Sequence, residues 1–207
     1  MPHSRGPGLL PIAGPLLVAE PILAVVTNRL LLPPFTTLAQ AVAPAVTGGA
    51  SLVILDEADL PRAPRLAVAR FVRQALRGRA DLLVTQDEAV ARDCGADGVV
   101  CAPEHVGNVR MARVVRLAPD FGDPQPLFMV AEGDWRHPEE ALAHLEAAVR
   151  VGSVPVLAGW DVPVEHAPCC IQAGAAGVCA SLSLMQAEDR AAVSRAYLEA
   201  MRRARAT

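Results

Sequence analysis

Three times in this chain a small-residue cluster built on glycine and alanine stands just before a short apolar run. Gly48-Gly49-Ala50 precedes SLVIL, Gly95 to Gly98 precedes VVCA, and Gly174 to Gly177 precedes VCASL. The clusters are spaced 47 and then 79 residues apart, close to one and then two units of about 40, a length that holds a strand, a helix and two turns. Glycine closes a helix in the left-handed conformation, and the apolar run behind it reads as a strand buried on both faces. The punctuation predicts an α/β protein of serial βα units.

The 207 residues are 52% hydrophobic and only 3% aromatic, enough to fill one large aliphatic core in a single domain over residues 22–207. A net charge of -3 and few aromatic side chains argue against nucleic acid and anionic membrane as partners. Lysine is absent, so all 19 basic residues are arginine. Schiff-base chemistry, lysine general bases and a Walker-type phosphate loop are thereby excluded. Five cysteines without CxxC spacing, set in apolar stretches, suit reduced thiols in a cytoplasmic protein, and no metal is expected on them. Residues 1–21 carry five prolines. Arg5 precedes apolar residues in the manner of a signal peptide, but prolines and glycines break the apolar stretch, and a loose arm is the expectation.

Strands are expected at Ile22–Thr27, Ser51–Leu55, Asp81–Thr85, Val99–Ala102, Leu127–Ala131, Val154–Ala158 and Val178–Leu182. Helices are expected after Thr36 or Thr37, around Pro64, up to Cys94, from Pro138 to Gly152 and from Glu188 to Arg203. Val114–Leu117 reads either as a further strand or as the end of a helix that begins near His105, so the unit count is eight or seven. An open dinucleotide-binding sheet needs a glycine-rich loop after its first strand, where this chain has TNRLLLPP. A TIM-like (βα) barrel is expected instead, with one βα unit shortened or missing on the seven-unit reading, and with its chemistry at the carboxyl ends of the strands.

The stretches AVVTNR (Ala24 to Arg29), GGASLVILDEAD (Gly48 to Asp59), GADGV (Gly95 to Val99) and the run from Val154 through GVCASLSLMQAED resemble the thiamine phosphate synthase and TenI-type group of small barrels. The resemblance spans most of the chain outside Val106 to Pro126. It implies a barrel, a small and thiazole-related ligand, and relatives that are often dimeric, although nothing in this sequence fixes a homodimer interface.

The synthase pattern implied after the second strand is Gln-x-Arg-Glu-Lys, whose cations hold a pyrophosphate; here Ile54, Asp56, Glu57 and Ala58 stand there. The Asn-Asp pair implied for magnesium becomes Thr85 and Gln86, with Asp87 one place later. Asp87 is read either as a magnesium ligand reached by a loop shift or as a solvated loop carboxylate. Magnesium is the one cofactor in question, and only for a synthase. The Gly-Gly phosphate turn implied after the seventh strand is replaced by Trp160 and Asp161, a bulky indole and a like charge where bare backbone and donors are needed. Ser181 and Ser183 still offer hydroxyls near the phosphate amides implied after the eighth strand.

TenI-type relatives isomerise a thiazole phosphate with a histidine after the fifth strand, and His137 in HPEEA resembles it. The plain alternative makes His137 a helix N-terminal residue. Glu104 with His105 is a further acid/base candidate or a solvated loop, and Glu165 with His166 is expected on the outer ring. Trp135 and Trp160 either form an aromatic wall for a planar ligand or plug the mouth. Three functions follow: a non-synthase pseudoenzyme or binding protein of thiamine metabolism, a tautomerase using His137, or a synthase whose cations are relocated to Arg29 or to Arg110 and Arg113.

Overall fold

The computed structural model describes residues 20–106, 108–117 and 126–206. The expected arm at 1–21 therefore lies outside the described residues except for Glu20 and Pro21. Five strands and three helices form the first half: β1 (Ile22–Val26), α1 (Leu38–Thr47), β2 (Leu52–Leu55), α2 (Arg62–Leu76), β3 (Asp81–Thr85), α3 (Glu88–Cys94), β4 (Gly98–Val100) and β5 (Glu104–Val106). The second half holds β6 (Val109–Arg116), β7 (Pro126–Ala131), α4 (Pro138–Val151), β8 (Val156–Ala158), α5 (Ala167–Gln172), β9 (Gly177–Ala180), α6 (Leu182–Met185) and α7 (Arg190–Ala206).

Pairing runs β1-β2-β3-β4-β6-β7-β8-β9 and returns to β1, which closes an eight-stranded α/β TIM-like barrel. Seven strands are parallel. β6 runs against both of its neighbours, β4 and β7, and β5 pairs only with β6, as the outer arm of a hairpin. Of the two readings of Val114–Leu117 the strand holds, as the end of β6, and the helix from near His105 does not: β5 and β6 form a hairpin there. No helix follows β4 or β6 among the described residues.

Local chemistry explains the regular elements. Thr37 caps α1 in a reciprocal box, accepting from the Gln40 amide while Gln40 Oε1 accepts from the Thr37 amide at 2.9 Å. Leu38, Ala41, Val42, Ala45 and Val46 then fall on one buried face. Gly95 and Gly174 take φ of 68° and 94° as the chain leaves a helix for a strand. At Gly177 a Cβ would lie 2.0 Å from the Ile22 carbonyl oxygen, so only glycine lets β9 meet β1 at this register.

Two apolar layers result. Ile22, Ala24, Leu52, Ile54, Phe128 and Leu157 belong to the barrel interior, and Leu23, Val25, Val53, Leu76 and Leu145 to the layer between sheet and helices. Alternate residues along each strand supply the two layers. β6 fits the same scheme, with Ala112 and Val114 inside and Val109 and Met111 outside. Because β6 is reversed, its first residues stand at the same end of the barrel as the carboxyl ends of the parallel strands. Among the described residues no helix is long and apolar enough to cross a membrane.

Candidate functional site

The carboxyl end of the barrel is crowded with charge, and nearly every charge is answered from within the chain. Glu57, 1% exposed, accepts from the Thr27 hydroxyl at 3.0 Å, from the Arg29 amide at 3.0 Å and from the Arg29 guanidinium at 2.8 Å. The same guanidinium clasps Asp59 at 2.7 and 2.5 Å. Asp59, with Glu57 behind it, raises the Arg29 pKa, and Arg29 in turn holds the Asp59 carboxyl below its ordinary value. Ile54 lies fully buried in the interior, and Asp56 is exposed beside Glu57.

A second network joins β2, β3 and α2. The Asp56 carboxylate lies 2.9 Å from the Thr85 hydroxyl. Arg65, buried on α2, donates to the Thr85 carbonyl and to its hydroxyl at 2.9 Å and faces Asp87 at 3.7 Å. Asp87 Oδ1 accepts the Val90 amide at 2.9 Å as the N-cap of α3. One carboxylate oxygen is thus spent on the helix and the other faces a buried cation. Among the described residues, no three of His, Cys, Asp and Glu come together to hold a metal ion, and the residues here do not fit magnesium.

The third feature lies after β8. Asp161 adopts a φ of 76° and turns its Oδ1 onto the amides of Ser181 and Leu182, at 2.8 Å from each. These amides, between β9 and α6, are where a phosphate would be cradled if the chain followed the family it resembles. A side-chain carboxylate already occupies them, a charge-assisted pairing of the kind anions make with exposed N–H groups. Ser181 and Ser183 do not end an apolar strand, as expected, because β9 stops at Ala180. Ser181 caps α6. The Tyr197 hydroxyl donates to the Val162 carbonyl at 2.6 Å, so the Ser183 hydroxyl at 2.8 Å must donate to the tyrosine oxygen.

The two tryptophans separate. Trp135 packs into the outer layer, donates to the Gly159 carbonyl at 3.3 Å and stacks on His166 with ring centroids 5.9 Å apart. Trp160 packs against the barrel interior and faces a cavity of about 520 Å³. Arg110, Glu132, Gly133, Asp134, Glu140, Ala141 and His144 complete the lining. His137 is exposed at the N-cap of α4, makes no side-chain cap bond and is not part of that lining. The histidine in the cavity is His144, whose Nε2 lies 3.3 Å from the Arg110 amide and carbonyl. Arg110 pairs with Glu132 at 3.2 Å and Arg113 with Glu104 at 3.4 Å, while His105 is exposed on β5, opposite Arg110.

Sequence reasoning placed Asp56, Glu57, Thr85, Asp87, Trp160, Asp161, Ser181 and Ser183 near the strand ends, and there they are. Glu132, at the expected end of the strand before His137, is there as well, whereas Arg65, Glu140 and His144 were not foreseen. The four-residue step from Glu140 to His144 on one helix was the available signal.

No protein-family model and no curated protein matches the sequence. Solved structures with the same fold include thiamine phosphate pyrophosphorylase from Pyrococcus furiosus, at 20% identity and a TM-score of 0.65 over 88% of this chain and 96% of that one. Thiamine phosphate pyrophosphorylase from Bacteroides thetaiotaomicron follows at 10% identity and a TM-score of 0.53, over 88% of this chain and 96% of that one. So does 3-hexulose-6-phosphate synthase from Salmonella typhimurium, at 10% identity and a TM-score of 0.53 over 88% and 99%. Likeness at these identities establishes the barrel and leaves activity to the site itself.

Proposed function

We propose that this protein is a non-synthase barrel that binds a small ligand without a phosphate or pyrophosphate group, with thiazole-related compounds the first to test. The observation that carries this reading is the Asp161 carboxylate on the Ser181 and Leu182 amides, at 2.8 Å from each. A phosphate arriving there meets a negative charge and finds its two donors taken. Arg29, Arg110 and Arg113, the cations that a relocated pyrophosphate site needs, are each paired to a carboxylate. The tautomerase reading, with His137 as acid/base, asks for the same phosphate site and for a histidine beside the bound ring. The five cysteines are free, which suits a reducing compartment such as the cytoplasm.

The test compares a thiazole alcohol with its phosphate ester by calorimetry, alongside an assay for coupling of pyrimidine pyrophosphate to thiazole phosphate. Preference for the alcohol and no coupling are the expected results. Coupling at an enzymatic rate would end the proposal, as would tighter binding of the ester.

A further inference from the structure

We infer that the cavity between α4, the start of β6, the end of β7 and Trp160 is a binding site for a small planar organic cation. The inference deepens the reading above, from which it takes only that the ligand is small and not anionic. The cavity opens beside β6, the reversed strand of the barrel. Among the described residues no helix packs against the β6-facing flank of α4, which presents Glu140 and His144 to the cavity.

The lining sets the ligand's charge. Glu132 is answered by Arg110 at 3.2 Å and Asp134 by Arg136 at 2.6 Å, whereas Glu140 makes no hydrogen bond or ion pair among the described residues. An entering anion therefore meets three carboxylates, and the lining's guanidinium, that of Arg110, is already engaged. An entering cation gains an unanswered carboxylate and the neighbouring indole of Trp160, a ring whose quadrupole attracts positive charge within about 6 Å of its centroid. His144, held at 3.3 Å from the Arg110 backbone, ties α4 to β6 at the cavity. At about 520 Å³ the space is of the size that takes small organic ligands.

Three isosteric probes test this: benzamidine, benzamide and benzoate, followed by saturation-transfer NMR and thermal unfolding. Benzamidine is expected to bind in the millimolar range and to raise the melting temperature, with benzamide at least tenfold weaker and benzoate silent. Glu140→Gln should weaken benzamidine threefold or more and Trp160→Leu should abolish its binding. Should Trp160→Leu not fold, Glu140→Arg, a charge reversal at an exposed position, should weaken binding at least tenfold. Benzoate binding as well as benzamidine, no binding of benzamidine, or indifference to the Glu140 substitutions would each overturn the inference. Those failures leave the non-synthase reading standing, whereas coupling of the synthase substrates removes that reading and leaves the cation site to be judged by benzamidine alone.

Discussion

Replacing Asp161 by glycine should convert an anion-indifferent barrel into an anion-dependent one. The carboxylate makes two hydrogen bonds of 2.8 Å to backbone amides, and bonds of this charge-assisted kind contribute about 1.5–3 kcal/mol each. Leu182 is exposed, so water takes over much of one bond. Glycine also relieves a φ of 76°, which costs a residue with a side chain about 1 kcal/mol. The net destabilisation is about 1–2 kcal/mol, which for a chain of this size lowers the melting temperature by roughly 2–8 °C. In the variant the freed amides can donate to an external anion, and phosphate at tenfold over its Kd would return about 1.4 kcal/mol. The assay is thermal unfolding of wild type and Asp161→Gly in chloride, sulfate and phosphate at matched ionic strength. Because sulfate and phosphate stabilise folded proteins generally, the decisive quantity is the variant's gain over that of the wild type. A variant as stable as the wild type in chloride, or equal gains for the two proteins, refutes the reasoning.

Glu57→Gln removes a buried carboxylate with three hydrogen bonds and should cost about 3 kcal/mol, read from urea unfolding; a change under about 0.5 kcal/mol would show that the Thr27–Glu57–Arg29 network carries no weight. In native protein a chromogenic disulfide reagent should modify exposed Cys169 first and leave Cys94, Cys170 and Cys179 until unfolding, since burial pushes the Cys170 thiol up to about 12. The Asp134 carboxyl is held at about 2 by hydrogen bonds from Arg136, below its ordinary 3.8. This pairing therefore supports the fold above pH 3.8 and its contribution is lost as pH falls through about 2; carbon-detected NMR should place the midpoint there, and in Arg136→Ala back towards 3.8.

Glycine punctuation exposed most of the barrel in advance, because each glycine cluster marks a point where helix must yield to strand. β6 was legible only as one of two readings of Val114–Leu117, and its full length and reversed direction escaped for a physical reason. VRMARVVR has apolar residues at spacings that serve a helix or a strand equally, and strand direction is set not by local pattern but by whether a crossover helix or a tight hairpin leads in. With β6 reversed, Arg110 arrives at the mouth, and the flank of α4 bearing His144 is left open. Neither position announces itself in one dimension. At the strand ends, Asp56, Glu57 and Asp161 were legible as unwelcome charges for a pyrophosphate. Their partners were not, because Arg65 comes from a helix and the Ser181 and Leu182 amides are reached only through the left-handed turn at Asp161.

Titration calorimetry of wild-type protein with inorganic pyrophosphate, with and without magnesium, is the most direct measurement of whether internal carboxylates have replaced the external anion. Flat heats to millimolar concentrations are the predicted result. Saturable binding that Arg29→Ala abolishes would contradict it.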